Sequence, residues 1–341
     1  MTMMQTRGRF LTPLSLVGAV GLLRVPRTLA AEGELETTSV RIAKNFGSCI
    51  APEYLAEELL RAEGFTQVQY VDAAPHLPLQ AIGRGGADFL VSTVMSFITA
   101  IDAGDPITTL SGVMVGCYEL FGNEAIRGIS DLKGKSVGVP FLGSGPHQYV
   151  TLMAADVGLD PVNDIHWVTG RSPTPAALFA DRKINAFLGF PPEPQDLRAR
   201  HIGHVIVSTG RDRPWSQYFY CMLGANRDYV RSYPVATKRA IRADLCASEP
   251  ERADRRLVDR RYTPRYDYAS QTLNENAYDK WREYDAEDAV RFYALRLHEF
   301  GFIKSNPQKI LAEGTDWRFL NERVGSVKIN DPSLIEPIAA Q

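Results

Sequence analysis

The chain has 341 residues, of which 45% are hydrophobic and 23% charged, and its formal charge is −2. That length is too great for one ordinary domain and suits two, each able to bury its own core. The balance excludes a nucleic-acid binder that works by neutralising phosphates, because there is no basic field.

Residues 1–9 carry Arg7 and Arg9 and no acid, FLTPLSLVGAVGLL follows as an apolar run, and RTLAAEG offers small residues suited to cleavage. This pattern predicts a secretory signal over 1–31 and an exported, periplasmic chain, whose charge after cleavage would be −6. TRGRFL is similar to a twin-arginine signal with Gly8 in the second arginine position, so both export routes stay open. An uncleaved anchor is the alternative, because Arg24 and Arg27 lie between the apolar run and the cleavage site.

From residue 38, short β-type runs alternate with helical ones. SVRIAKNF reads as a strand. APEYLAEELLRAEGF reads as a helix, with Ser48 as candidate cap, Pro52 in the first turn, Glu57 and Arg61 four apart, and Gly64 as the stop. TQVQYVDA, ADFLVST, SVGVPF, DIHWVTG, NAFLGF and HVIVSTG read as further strands, which argues for βαβ units and mostly parallel sheets. LQAIGRGGADFLVST and AALFADRKINAFLGF echo one another: each runs from a short apolar helix through a polar turn into a strand. Two such halves would place Ser92, Thr93 and the segment 189–193 at the carboxyl edges of two sheets, where ligands sit in open α/β folds. After residue 226 the pattern turns helical, with Asp285 an N-cap and Gly301 a stop for the helix between them. The arginines of 252–265 alternate with Glu251, Asp254 and Asp259, which reads as a solvated helix face.

Cys49, Cys117, Cys221 and Cys246 form no CxxC pair and have no histidine-rich company, so no zinc site is expected. A disulfide such as Cys221 with Cys246 and buried free thiols are both open readings. PFLGSGPHQYVTLMAADVGL, residues 140–159, is neither a hydrolase elbow nor a phosphate loop. The positions flanking Ser144 in the elbow motif are Leu142 and Pro146, and no lysine lies between 136 and 182. Gly143, Ser144, Gly145 and Pro146 suit an anion or carbonyl cradle at a helix start, or a plain Ser144 cap, with His147 a donor or a solvent-facing ring. SCIAP would supply the facing cradle, with Cys49 reactive at a helix N-terminus. Tyr118, Trp215, Tyr218 and Phe219 would stack on a planar ligand or serve as core.

The order KNFGSCIAPEYLAEELLRAEGF, GGADFLVSTVMSFITAIDAG, ISDLKGKSVGVP and PAALFADRKINAFLGFPPE resembles the substrate-binding proteins of ABC importers for nitrate, sulfonate, taurine and pyrimidine precursors. The resemblance spans about 38 to 325 and implies the α/β type II periplasmic-binding fold: two α/β lobes around a cleft, joined by two crossing strands, with a helical C-terminal part. The crossings are expected near VMVGCYELFG and YFYCMLGANR. Lobe 1 is expected over 38–122 and 224–325, lobe 2 over 123–223, and a tail over 326–341. The matching ligand positions are Phe46, Ser48 and Cys49; Ser92 and Thr93; Cys117 and Tyr118; Ser144, Gly145 and His147; Pro192 and Glu193; and Tyr218.

The resemblance therefore implies a monomeric, periplasmic binding protein that needs no cofactor or metal. It would carry a small organic anion, such as a sulfonate or carboxylate, to an ABC permease. A second reading is an enzyme on the same scaffold. Aromatic sulfinate desulfinases use a cysteine before the first helix, followed by a histidine and an arginine, and Cys49, His76 and Arg84 fall in comparable order.

Overall fold

The computed structural model describes residues 33–45, 48–72, 78–246, 265–278, 280 and 283–321. The leader expected over 1–31, the arginine-rich stretch up to residue 264 and the tail over 326–341 lie outside the described residues. No described helix is long and apolar enough to cross a membrane.

The first lobe is built from β1 (Ser39–Ala43), α1 (Ala51–Ala62), β2 (Gln67–Val71), α2 (Pro78–Gly83), β3 (Phe89–Thr93), α3 (Val94–Asp102) and β4 (Ile107–Val115). All nine residues of β4 are buried, as a strand covered on both faces requires. Pro52 sits in the first turn of α1, and Gly64 takes φ +104° just beyond its end. The predicted Ser48 cap is corrected: Ile50 holds the N-cap position of α1, and residues 48–50 form a separate 3-10 turn. Such a turn shifts the helix start two residues downstream.

The second lobe follows as β5 (Glu119–Gly122), β6 (Lys135–Val139), α4 (Gly145–Asp156), β7 (Ile165–Thr169), α5 (Pro175–Ala180), β8 (Ala186–Gly189), α6 (Glu193–Ala199) and β9 (His204–Ser208). The chain then returns through β10 (Phe219–Asn226) to α7 (Arg227–Ser232), α8 (Pro234–Cys246), α9 (Tyr266–Glu275), α10 (Ala286–Glu299) and α11 (Pro307–Gly314). Asp285 caps α10 through the N–H groups of Glu287 and Asp288, and Gly301 at φ +72° follows its end, as the sequence indicates.

Each sheet has five strands, in the orders β2-β1-β3-β10-β4 and β7-β6-β8-β5-β9. The two orders are the same plan: three parallel strands, then an antiparallel strand that has come across from the other half, then a last strand. β3 and β8 hold equivalent places, and these are the strands that close the two echoing segments. The echo thus reports a true structural repeat.

The expected lobe boundaries need correction. β5, placed in lobe 1 by a boundary at 122, pairs with β8 and β9 in the second sheet. β10, placed largely in lobe 2 by a boundary at 223, pairs with β3 and β4 in the first. The first crossing, at residues 116–118, lies inside the segment expected for it, whereas the second, at 209–218, precedes the segment expected for it. The two are laced together: the Tyr118 N–H donates to Thr209 Oγ1 at 3.0 Å, and the Thr209 N–H donates to the Tyr118 carbonyl at 2.9 Å. Gly116, at φ +31°, lets the chains approach, since a Cβ there would lie 2.4 Å from the Thr209 carbonyl carbon.

Candidate functional site

The lobes meet through side chains. Gln148 Nε2 of α4 donates to Thr99 Oγ1 of α3 at 3.1 Å, and the Tyr149 and Tyr293 hydroxyls share a 2.6 Å hydrogen bond. Buried rings fill the space between. Tyr118 meets Tyr220 edge-on at 4.7 Å, while Tyr149 lies 5.1 Å from Tyr220 and 5.2 Å from Trp215. Stacked and edge-on contacts of this kind hold rings in one arrangement, so these aromatics form interlobe core rather than a platform for a planar ligand. Tyr218 is likewise occupied, stacked on Phe292 at 4.0 Å.

The expected cradle at the start of α4 is spent on the protein itself. Ser144 Oγ accepts from the His147 N–H at 3.4 Å, the Ser144 carbonyl accepts from the Gln148 N–H at 2.9 Å, and Pro146 has no N–H. Gly145 retains its N–H but faces Thr93 and Tyr220, whose hydroxyl would lie 3.3 Å from a Cβ at this position. Ser144 is thus a helix cap. His147 Nδ1 accepts from the Gly143 N–H at 3.0 Å, and its ring packs edge-on against Trp167 and Phe302. Burial lowers its pKa, so the imidazole is neutral and braces the loop.

Thr93 caps α3, accepting from the Ser96 N–H at 3.2 Å, and Ser92 is buried in β3 opposite Met222. Cys49, Cys117 and Cys221 are buried free thiols, so no disulfide engages Cys221. The Cys117 thiol lies beside that of Cys49, and burial pushes the thiols of Cys117 and Cys221 up, which makes both poor nucleophiles. Pro192 and Glu193 border a different, open groove of about 410 Å³, where burial pushes the Glu193 carboxyl up to about 7. Phe46, His76 and the Ser48 side chain lie outside what is described.

The alternative catalytic set is not assembled among the described residues. Cys49 follows the carboxyl end of β1, whereas Arg84 is exposed in the turn that feeds the amino end of β3, a parallel strand of the same sheet. The two therefore sit toward opposite edges of that sheet.

A cavity of about 260 Å³ opens beside the crossings. Of the predicted ligand residues it contains Cys117 alone; its polar wall is Glu119 of β5, Gln195 of α6, Ser208 at the end of β9, Arg211 beyond it, and Glu275 and Asn276 at the end of α9. Gln195 and Arg198, three apart on α6, share a helix face directed at this region. Arg198 bridges two carboxylates, reaching Glu119 Oε1 at 2.5 Å and Glu275 Oε2 at 2.7 Å. Arg211 adds a contact to Glu119 Oε1 at 3.3 Å. Burial nonetheless raises the Glu119 pKa against the pull of both arginines. Gln195 Nε2 donates to Glu275 Oε2 at 3.2 Å. The one available signal for this site is Glu119 itself, a single charge inside the apolar run CYELFG; nothing in the sequence ties residues 195, 211 and 275 together.

The architecture is that of the periplasmic binding proteins. Over 87% of its length the chain superposes on 91% of the nitrate-binding protein NrtA from Synechocystis PCC 6803, with a TM-score of 0.72 and 14% identity. It covers all of the alkanesulfonate-binding protein SsuA from Xanthomonas axonopodis pv. citri, solved with MOPS, with a TM-score of 0.69, 17% identity and 83% of this chain aligned. The aliphatic sulphonate binding protein SsuA from Escherichia coli gives 0.65 at 18% identity, over 79% of this chain and 94% of that one. Residues 120–254 match the NMT1-like family. Among curated proteins, none matches the chain in sequence.

Proposed function

We propose that the protein is the solute-binding component of an ABC importer, working as an exported monomer that delivers a small molecule to its permease. The observation that carries this reading is a cavity set against the two crossings, with walls from the second lobe, the crossings and α9, a helix that packs on the 3-10 turn of the first lobe. Rotation about two short crossings opens and shuts such a cavity without disturbing either sheet. The likeness to nitrate- and sulfonate-binding proteins supports the same role. No chemical step is assigned to the site, because its cysteine is an uncharged thiol and its acids are engaged with arginines.

The organic anion expected as ligand drew on the resemblance and on cradles at two helix starts. The cradle at α4 is capped by its own serine, and Gly145 faces Tyr220, so that part of the support falls away.

A thermal-shift screen of small organic solutes tests the role, with Cys49→Ala run beside the parent chain. A binding protein shows stabilisation by one solute class, and the variant keeps it. Covalent capture of a solute at Cys49, or turnover lost only in the variant, would instead establish the enzyme.

A further inference from the structure

Resting on the reading of the interlobe cavity as the ligand site, we infer that the ligand recognised there presents N–H donors, as a protonated amine, amidinium or guanidinium does, and is not an anion. Two buried oxygens carry the inference. Glu119 Oε2 and Gln195 Oε1 both belong to cavity-wall residues, and neither has a hydrogen-bond partner. Glu119 is 6% exposed and Gln195 2%, so bulk water does not serve these oxygens.

The orientation of the Gln195 amide is decided by its neighbour. Its Nε2 points to Glu275 Oε2 at 3.2 Å, and turning the amide over would set an oxygen against that carboxylate. The free atom of Gln195 is therefore an acceptor. An unpaired buried acceptor is costly, and a donor on the ligand removes the cost.

Charge points the same way. The wall holds two carboxylates, Glu119 and Glu275, against one arginine, Arg211, and that guanidinium already contacts Glu119 and Ser208. Arg198 is likewise committed, donating to both acids. A nitrate or sulfonate entering here would meet acceptor oxygens and a carboxylate with no uncommitted cation facing it, and would lose its hydration shell without replacement. A nitrogen cation would find two oxygens waiting, one of them charged.

Two probe panels test this on the whole mature chain by thermal shift and calorimetry: benzamidine, methylguanidine and aliphatic diamines in one, nitrate, methanesulfonate and benzoate in the other. The expected result is stabilisation of about 3 °C or more by a member of the first panel at saturating concentration, with no effect of the second. Gln195→Met, which keeps the volume and removes the acceptor, should weaken that binding roughly tenfold or more while the protein still melts cooperatively. Glu119→Gln should weaken the cation further, by roughly 10- to 100-fold. Binding of the anions with indifference to amines and amidines overturns the inference and leaves the importer role standing. Unchanged affinity in Gln195→Met also overturns it. A flat response to both panels overturns the reading of this cavity as the ligand site.

Discussion

Glu53 on α1 and Asp244 on α8 face one another across the core of the first lobe, beside a small void of about 20 Å³ lined by Val40, Leu60 and Leu223. Glu53 Oε2 accepts from the Val91 N–H at 3.3 Å, but Glu53 Oε1 and Asp244 Oδ2 have no partner. Burial pushes the Asp244 carboxyl up to about 7 and, with the charge of Asp244 adding to it, holds Glu53 well above the usual range. The folded chain therefore keeps protons that the unfolded chain gives up near pH 4. Stability from this pair is full at low pH and is lost as pH rises from about 4 to about 7, at roughly 1.4 kcal/mol per unit of raised pKa. Urea titrations should show that loss in the parent chain and a flatter profile in Asp244→Asn, which is expected to be the more stable of the two above pH 7. An unchanged slope in the variant would mean that Asp244 ionises freely. Nothing in the local sequence marks these two acids as buried: each lies on a helix that also carries exposed charges, and only tertiary packing selects the face that carries them.

At the scale of elements, α6 is the piece that ties the lobes. Its Arg198 spans Glu119 on β5 and Glu275 on α9, while Tyr268 of α9 donates to Asp196 at 3.4 Å. Helix α9 in turn packs on the 3-10 turn that carries Cys49, whose carbonyl accepts from Tyr278 at 2.9 Å. The Arg198 side chain is 29% exposed and that of Glu119 only 8%, so losing the arginine strands a nearly buried carboxylate. Arg198→Met should cost roughly 2 to 4 kcal/mol in denaturant unfolding. Arg211→Ala should cost less than about 1 kcal/mol, because its side chain is 69% exposed. Equal losses in the two variants would show that α6 does not organise the site. This arrangement was hidden in the sequence because it joins segments about 80 residues apart, and glutamate, arginine and glutamine on an amphipathic helix look the same whether they face water or a partner. The elements themselves were legible: alternation marked the strands, and Pro52, Gly64, Asp285 and Gly301 marked helix ends by their backbone chemistry. The second crossing was placed several residues too late because β10 is buried along its whole length, so its hydrophobic run carries no sign of which sheet it joins.

At the scale of the molecule, two sheets of one plan are joined by two crossings and closed by a ring-packed interface in which Thr93 and Ser144 serve as helix caps and Tyr118 and Tyr218 as packed rings. The echo between the helix-to-strand segments ending at β3 and β8 was readable because it repeats a local pattern; the cavity was not, because its wall is gathered from four separate stretches of chain. Lobes joined in this way can clamp one small molecule, with affinity drawn from fixed hydrogen-bonding groups in a shielded site. Native mass spectrometry of the exported chain, incubated with the small-molecule fraction of its own growth medium, tests that claim most directly. The account predicts a single bound small molecule per chain, reduced in occupancy by Gln195→Met. A bare chain in every fraction that supports growth, or equal occupancy in the variant and the parent, would contradict it.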